Sequence, residues 1–330
     1  MKKEIALTGI QPTGIPHIGN YLGSMKQMID MSRAQDSFTF VADLHSLNDI
    51  HDPAIIREYT MTAATSYIAL GLDMSRTILF RQSDVPEVLE LSGLLMNVTS
   101  KGLMNRAHSY KAAVDRNAAA GRDTDAGINM GLYTYPILMT ADILLYNATT
   151  IPVGADQKQH VEFARDIAGA FNNIYGETFI LPEPVIKESV GLIPGTDGRK
   201  MSKSYGNTIQ IFAPEEELKK KIMGITTDST RPEDPKDPDT STIFKLYSGF
   251  ATADEIALFR EKFTAGGVGY GALKTELFEK INEFLAPRRA ELERLMANPD
   301  EIESILAAGA ARARPHAAET LARVKRAMLG

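Results

Sequence analysis

EIALTGIQPTGIPHIGNYLGSM, residues 4–25, decides the class of fold. EIALT (4–8) is a short buried-strand pattern. Gly9, Gly14, Gly19 and Gly23 follow with two prolines, and a helix is expected to start near Gly19–Asn20. A strand, a glycine-rich turn and a helix N-terminus make a place where phosphate can sit against backbone N–H groups. The turn is neither GxGxxG nor GxxxxGKS, so the two commonest nucleotide fingerprints are absent. A tight strand-to-helix turn without a ligand explains the glycines equally well. PHIGN tips the balance, because His17 and Asn20 bring polar groups to either side of Gly19.

Working outward, FTFVAD (38–43) and TILFR (77–81) read as further buried strands. Between them, Asp52 is a good N-cap and Pro53 suits the first helical position. Ile56, Tyr59, Ala63, Tyr67 and Leu70 recur at spacings of three and four, giving one apolar face, and Gly71 is placed to end the helix. Strand, helix, strand repeated in this way predicts an α/β fold with a parallel, Rossmann-like sheet. From about residue 209 the pattern becomes helical, in segments such as PEEELKKKIMGI and AAETLARVKRAML. Two domains are expected, 1–208 and 209–330, with a Pro-, Asp- and Thr-rich loop at 226–242.

The 330 residues fit two domains, and 44% hydrophobic with 24% charged residues is ordinary for a soluble protein. With no cysteine, disulfides, thiolate metal sites and thiol nucleophiles are excluded. MKKEIALTGI has too short an apolar run for a signal peptide, and no run reaches membrane-helix length, so a cytoplasmic location is expected. The net charge of −6 argues against a general nucleic-acid binder. The tail 311–330 nevertheless carries Arg312, Arg314, Arg323, Lys325 and Arg326 against Glu319 alone. A solvated helix face explains that excess as well as a binding track does.

GRKMSKSYGN (198–207) alternates Lys200 and Lys203 with Ser202 and Ser204 between glycines. Ammonium groups meet negative charge and hydroxyls donate, so such a loop suits a polyphosphate. In YPILMTADILLY (135–146), helical spacing puts Tyr135, Met139 and Asp142 along one face. Asp142 is the anomaly, since an unpaired buried carboxylate costs several kcal/mol.

PHIGN resembles the HIGH signature of class I aminoacyl-tRNA synthetases, with Asn20 in the final position, and KMSKS is their second signature intact. PVGADQKQH (152–160) is similar to the PVGxDQxQH segment of the bacterial-type tryptophanyl-tRNA synthetases, and GIQPTG (9–14) and GLYTYPILMTADILLY (131–146) resemble them too. The likeness runs over essentially the whole chain. It implies a Rossmann-like catalytic domain followed by a helical anticodon-binding domain. It implies activation of L-tryptophan with ATP and transfer to tRNA(Trp), with Mg2+ accompanying ATP and no metal held by the protein itself.

By the same resemblance, Gln11, Pro12, Thr13, His17, Gly19 and Asn20 would line the ATP site. Gly154, Ala155, Asp156 and Val190 would approach the adenosine, and Lys200, Met201, Ser202, Lys203 and Ser204 the phosphates. His17, Asn20, Lys200, Ser202 and Lys203 would carry the catalysis by positioning and electrostatics. The substrate's own carboxylate attacks the α-phosphorus, so neither a general base nor a protein nucleophile is expected.

An indole is a flat apolar body with one N–H donor, so its site needs apolar walls and one acceptor. Met139, Ile151 and Val153 would be walls, with His45 helping to line the site. Asp142 would be the acceptor, and Tyr135 and Gln157 would hold the α-amino group. On this reading Asp142 faces a cavity and finds its partner in the ligand. Leu7 departs from the pattern, because many family members carry an aromatic residue there.

A tyrosyl-tRNA synthetase, a non-catalytic paralogue and a nucleotidyltransferase acting without tRNA are the rival readings. Leu7 lacks the hydroxyl that a phenol site would use, and both signatures are intact. The family works as a homodimer on tRNA. Lys101, Arg106, Lys111 and Arg116, against Asp115, offer one basic track, and the C-terminal helix offers another.

Overall fold

Five parallel strands form one sheet: β1 Ala6–Ile10, β2 Ser37–Val41, β3 Thr77–Arg81, β4 Thr150–Pro152 and β5 Glu183–Val185, in the order β3-β2-β1-β4-β5. This is a computed structural model, and it describes residues 5–152, 158–185 and 192–330. The order reverses at β1: one connection leads to β2 and the later chain returns to β4 on its other side. Such a switch point opens a crevice beyond the carboxyl ends of the strands.

β1 runs two residues past Thr8, because Gly9 pairs in register with Phe40 and Ile10 with Val41. Gly9 is needed there, since a methyl at that position would meet Phe40 Cζ at 2.9 Å. β2 stops at Val41 rather than continuing to residue 43. The Asp43 carboxylate accepts from the backbone N–H groups of Leu44 and Ser83, each at 3.0 Å, which turns the chain into the single helical turn Asp43–Ser46. β3 and the helix α2, Pro53–Ala69, fall where the sequence places them, with Asp52 accepting from the Ala54 N–H and Gly71 at φ +97 closing the end.

The helix after the glycine turn, α1 (18–34), starts with Ile18–Asn20, passes through a π-turn at Tyr21–Met25 and continues as Lys26–Ala34. Before β4 come α3 Glu87–Leu95, α4 His108–Ala119 and α5 Met130–Leu145, and α6 Lys158–Tyr175 follows it. The second half consists of α7 Glu215–Met223, α8 Thr242–Ser248, α9 Ala253–Ala265, α10 Tyr270–Met296 and α11 Pro299–Leu329.

The helical half does not stand apart from the sheet. One apolar cluster joins Ile10, Ile29 and Leu79 to Ile211, Phe259, Leu285 and Leu306. The other joins Leu7, Phe80 and Leu145 to Ala313, Ala317 and Val324 of α11. α11 lies along the edge strand β3 so closely that a methyl on Gly309 would collide with the Leu79 carbonyl.

The basic residues of α11 are largely committed to this packing. Arg314 pairs with Glu87 and Lys325 with Glu90, while Arg323 donates to Asn147 Oδ1 at 2.8 Å. Asn147 has φ +50, an uncommon left-handed backbone for a residue other than glycine. Arg312 remains exposed. Lys101, Arg106, Lys111 and Arg116 are also exposed and have no ion-pair partner among the described residues.

Candidate active site

A cavity of about 740 Å³ opens at the switch point. Leu7, Ile10 and Gln11 reach it from β1 and its turn, Ala42 and His45 from the end of β2, and Ile151 and Pro152 from β4. Tyr135, Met139 and Asp142 enter from α5, on the shared face that their spacing predicts. Thr13 and Asn20 line it from the glycine-rich turn. Apolar sheet and helix surface thus adjoins a turn rich in backbone N–H groups within one space, which is how small-molecule sites are commonly built.

His17 acts first as a helix cap. Its Nδ1 accepts from the Asn20 N–H at 3.2 Å, and Asn20 Oδ1 accepts from the His17 N–H at 3.0 Å, a reciprocal capping box. The bond fixes the proton of the neutral ring on Nε2. Burial, and then the charge of Lys203, push the imidazole below its ordinary value of 6.5, so the ring is neutral at neutral pH. His17, Pro12 and Gly19 lie beside the cavity rather than in its wall.

The second lysine of KMSKS reaches the same turn. Lys203 Nζ donates to the Thr13 carbonyl at 2.8 Å, and the Gly19 N–H points at Met201 Sδ at 3.2 Å. Met201 is buried, whereas Lys200, Lys203 and Ser204 are exposed and Ser202 is half-buried. Ser202 and Ser204 share a hydroxyl hydrogen bond of 2.8 Å.

The loop hangs on one side chain that the sequence reading did not single out. Asn207, 2% exposed, accepts from the Ser202 N–H at 2.8 Å and donates to the Lys200 carbonyl at 3.0 Å and to Asp197 Oδ1 at 2.7 Å. Only the motif context could have flagged it, because an asparagine after a glycine usually marks a plain turn.

Asp142 needs a correction. It faces the cavity and has no arginine partner among the described residues, but it does not wait for a ligand to find one. His45 Nε2 lies 3.0 Å from Oδ2, and Gln82 Nε2 donates to both carboxylate oxygens at 2.9 Å. Its partners are 97 and 60 residues away in the chain, so no local pattern shows them. Burial still dominates over these bonds and pushes the carboxyl above its ordinary value of 3.8.

Tyr135 OH and His160 Nε2 are 3.2 Å apart, and the His45 ring meets Tyr135 edge to face. Leu7 is buried in the wall, and Phe40 supplies an aromatic ring there from the neighbouring strand, over Gly9. Val153, Gly154, Ala155, Asp156, Gln157 and Val190 lie outside the described residues.

A parallel sheet switching at β1, a capped HxGN helix and a KMSKS loop docked on its turn define a nucleotide-activating synthetase core. The family model of class I tRNA synthetases for tryptophan and tyrosine ("tRNA synthetases class I (W and Y)") matches residues 2–286. The chain belongs to that family, in its bacterial-type tryptophanyl branch. It is 52% identical over 327 residues to the tryptophan–tRNA ligase of Pseudomonas aeruginosa, covering 98% of this chain and 73% of that one. It is 49% identical to that of Neisseria meningitidis, covering 99% and 98%. The tryptophanyl-tRNA synthetase of Campylobacter jejuni, solved with ADP and tryptophan, superposes with a TM-score of 0.86 at 42% identity, covering 98% of both chains.

Proposed function

We propose that this chain joins L-tryptophan to ATP as tryptophanyl-adenylate, releasing pyrophosphate, and then transfers the amino acid to tRNA(Trp). The observation that carries the reading is one cleft that unites a buried carboxylate among apolar walls with the turn that Lys203 reaches. In this assignment Leu7, Met139, Ile151 and Val153 enclose the indole. Asp142 accepts its N–H, and Tyr135 and Gln157 hold the amino group. The ATP ribose and phosphates run along Gln11, Thr13 and Asn20, with Gly154, Ala155, Asp156 and Val190 beside the adenosine.

Two of the three donors of the Lys203 ammonium remain for a leaving pyrophosphate after its bond to Thr13. Lys200, exposed on the same loop, adds a second positive charge. Charge develops on the leaving group in the transition state, so these groups act mainly there. Neutral His17 acts by holding the helix start, through its cap to Asn20, rather than by moving a proton. Mg2+ would come with ATP, whose phosphate oxygens are the hard ligands it prefers. Among the described residues no three His, Cys, Asp or Glu side chains are gathered as a metal cage.

Residues 209–330 are assigned to the anticodon, with α11 doubling as a structural cover for β3. A homodimer with tRNA across both subunits fits the exposed Lys101, Arg106, Lys111 and Arg116, which have no ion-pair partner among the described residues, as its basic track. No helix among the described residues is long and apolar enough to cross a membrane, and a cytoplasmic setting fits the reaction. ATP–pyrophosphate exchange tested with each of the twenty amino acids decides the assignment: tryptophan should drive it and tyrosine should not. Because the chain contains no tryptophan, added tryptophan can also be followed by its own fluorescence. A failure to show saturable binding would overturn the reading.

A further inference from the structure

We infer that Gln82 is a positioning residue for substrate selection: it holds the Asp142 carboxylate in one plane, so that Oδ1, the oxygen His45 leaves open, is offered to the indole N–H. The inference rests on the reading of Asp142 as the indole acceptor.

Gln82 follows the end of β3 and is 1% exposed. Its place is fixed from a second loop, because Asp43 binds the next residue twice, accepting from the Ser83 N–H at 3.0 Å and the Ser83 hydroxyl at 2.5 Å. From there the Gln82 amide N–H2 straddles the Asp142 carboxylate at 2.9 Å to each oxygen. Oδ2 also meets His45, so it is engaged twice and Oδ1 once. A carboxylate oxygen has two lone pairs, and Oδ1 therefore keeps one for an incoming donor.

The other half of the amide carries the same message. Gln82 Oε1 is buried without a partner among the described residues. Leaving a buried acceptor unpaired is unfavourable. Turning the amide over would relieve nothing, because Oε1 would then face a carboxylate. The chain keeps an orphaned acceptor in order to hold Asp142 in one plane. Gln82 does not line the cavity itself, so it acts through Asp142 and not by touching the substrate.

The test compares tryptophan with the analogue in which sulfur replaces the indole N–H, by kcat/KM in ATP–pyrophosphate exchange. Wild type should prefer tryptophan. Gln82→Met keeps the volume and removes the donor. It should cut that preference roughly tenfold or more, the scale of a hydrogen bond to a charged group, and leave the KM for ATP within about twofold. A structural role alone would depress both substrates equally, and that result would overturn the inference. Asp142→Ala is the reference: if it too leaves the preference unchanged, the indole-acceptor reading itself has failed. If it abolishes the preference while Gln82→Met does not, only the role of Gln82 has failed. Should Gln82→Met not fold, Gln82→Glu is read instead. Its carboxyl would compete with Asp142 for one proton, and an undiminished preference would again refute the proposal.

Discussion

Replacing Asn207 by alanine removes three hydrogen bonds at once from the base of the KMSKS loop. Two are to backbone groups, the Ser202 N–H and the Lys200 carbonyl, and one is to the Asp197 carboxylate. A neutral hydrogen bond contributes about 1 kcal/mol net and one to a charged group about 2. The sum is about 4 kcal/mol. Water reaching the half-buried Ser202 returns part of it, so about 3 kcal/mol of loop ordering is lost.

The loop need not be ordered in the empty protein, but Lys200 and Lys203 must be ordered when pyrophosphate leaves. The loss therefore falls on the transition state. At 1.36 kcal/mol per factor of ten, ATP–pyrophosphate exchange at saturating tryptophan should drop roughly 100-fold. Tryptophan affinity, read by ligand fluorescence, should stay within about twofold, because the amino-acid wall does not use this loop. Adding Lys203→Ala should cost much less in the Asn207→Ala background than in wild type, since both act through the same ammonium. Exchange within about threefold of wild type in a folded Asn207→Ala protein would refute the reasoning.

Gly309→Ala should unfold the protein more easily, although alanine favours helix by about 1 kcal/mol. The collision is with the Leu79 carbonyl of a buried strand, which cannot step aside, so a net loss of about 3 kcal/mol in urea denaturation is expected. Arg323→Ala should lower thermal stability through the loss of its bond to Asn147 and leave tRNA charging per folded molecule unchanged; a selective fall in charging would put Arg323 on the tRNA track after all. Asp142 gives a pH signature. Its folded-state titration lies above 3.8, so its contribution to stability is present below that raised value and is lost as pH rises through it. Wild type should therefore lose stability relative to Asp142→Asn as pH rises from 3.8 through the raised value, and parallel melting curves would contradict this. His17, held below its ordinary value, runs the other way: its neutral cap stabilises above about 6.5 and weakens as acid protonates the ring.

Local chemistry was legible where it is local. The cap at Asp52, the turn at Gly71, the strand TILFR and the shared face of Tyr135, Met139 and Asp142 all follow from spacing of a few residues. What spacing could not carry were meetings across the chain. Gln82 and His45 on Asp142 are tertiary pairings, and without them Asp142 reads as unpaired. Phe40 lines the cavity together with Leu7, and only strand register brings it beside Gly9. Part of the basic tail is paired for the same reason: Glu87 and Glu90, which meet Arg314 and Lys325, belong to a helix some 230 residues earlier. Helical pattern after residue 209 likewise says nothing about α11 sharing the core beneath the sheet.

The placement of α11 along β3 bears on how the chain is made. The edge strand ends at Arg81, and the helix that covers it begins only at Pro299. Until then the sheet has an open margin, the kind of surface that pairs wrongly with other chains. Contacts so distant in sequence also form slowly. A nascent chain halted before residue 299 should keep the β3 edge uncovered and remain a client for chaperones, and release of α11 should end that dependence.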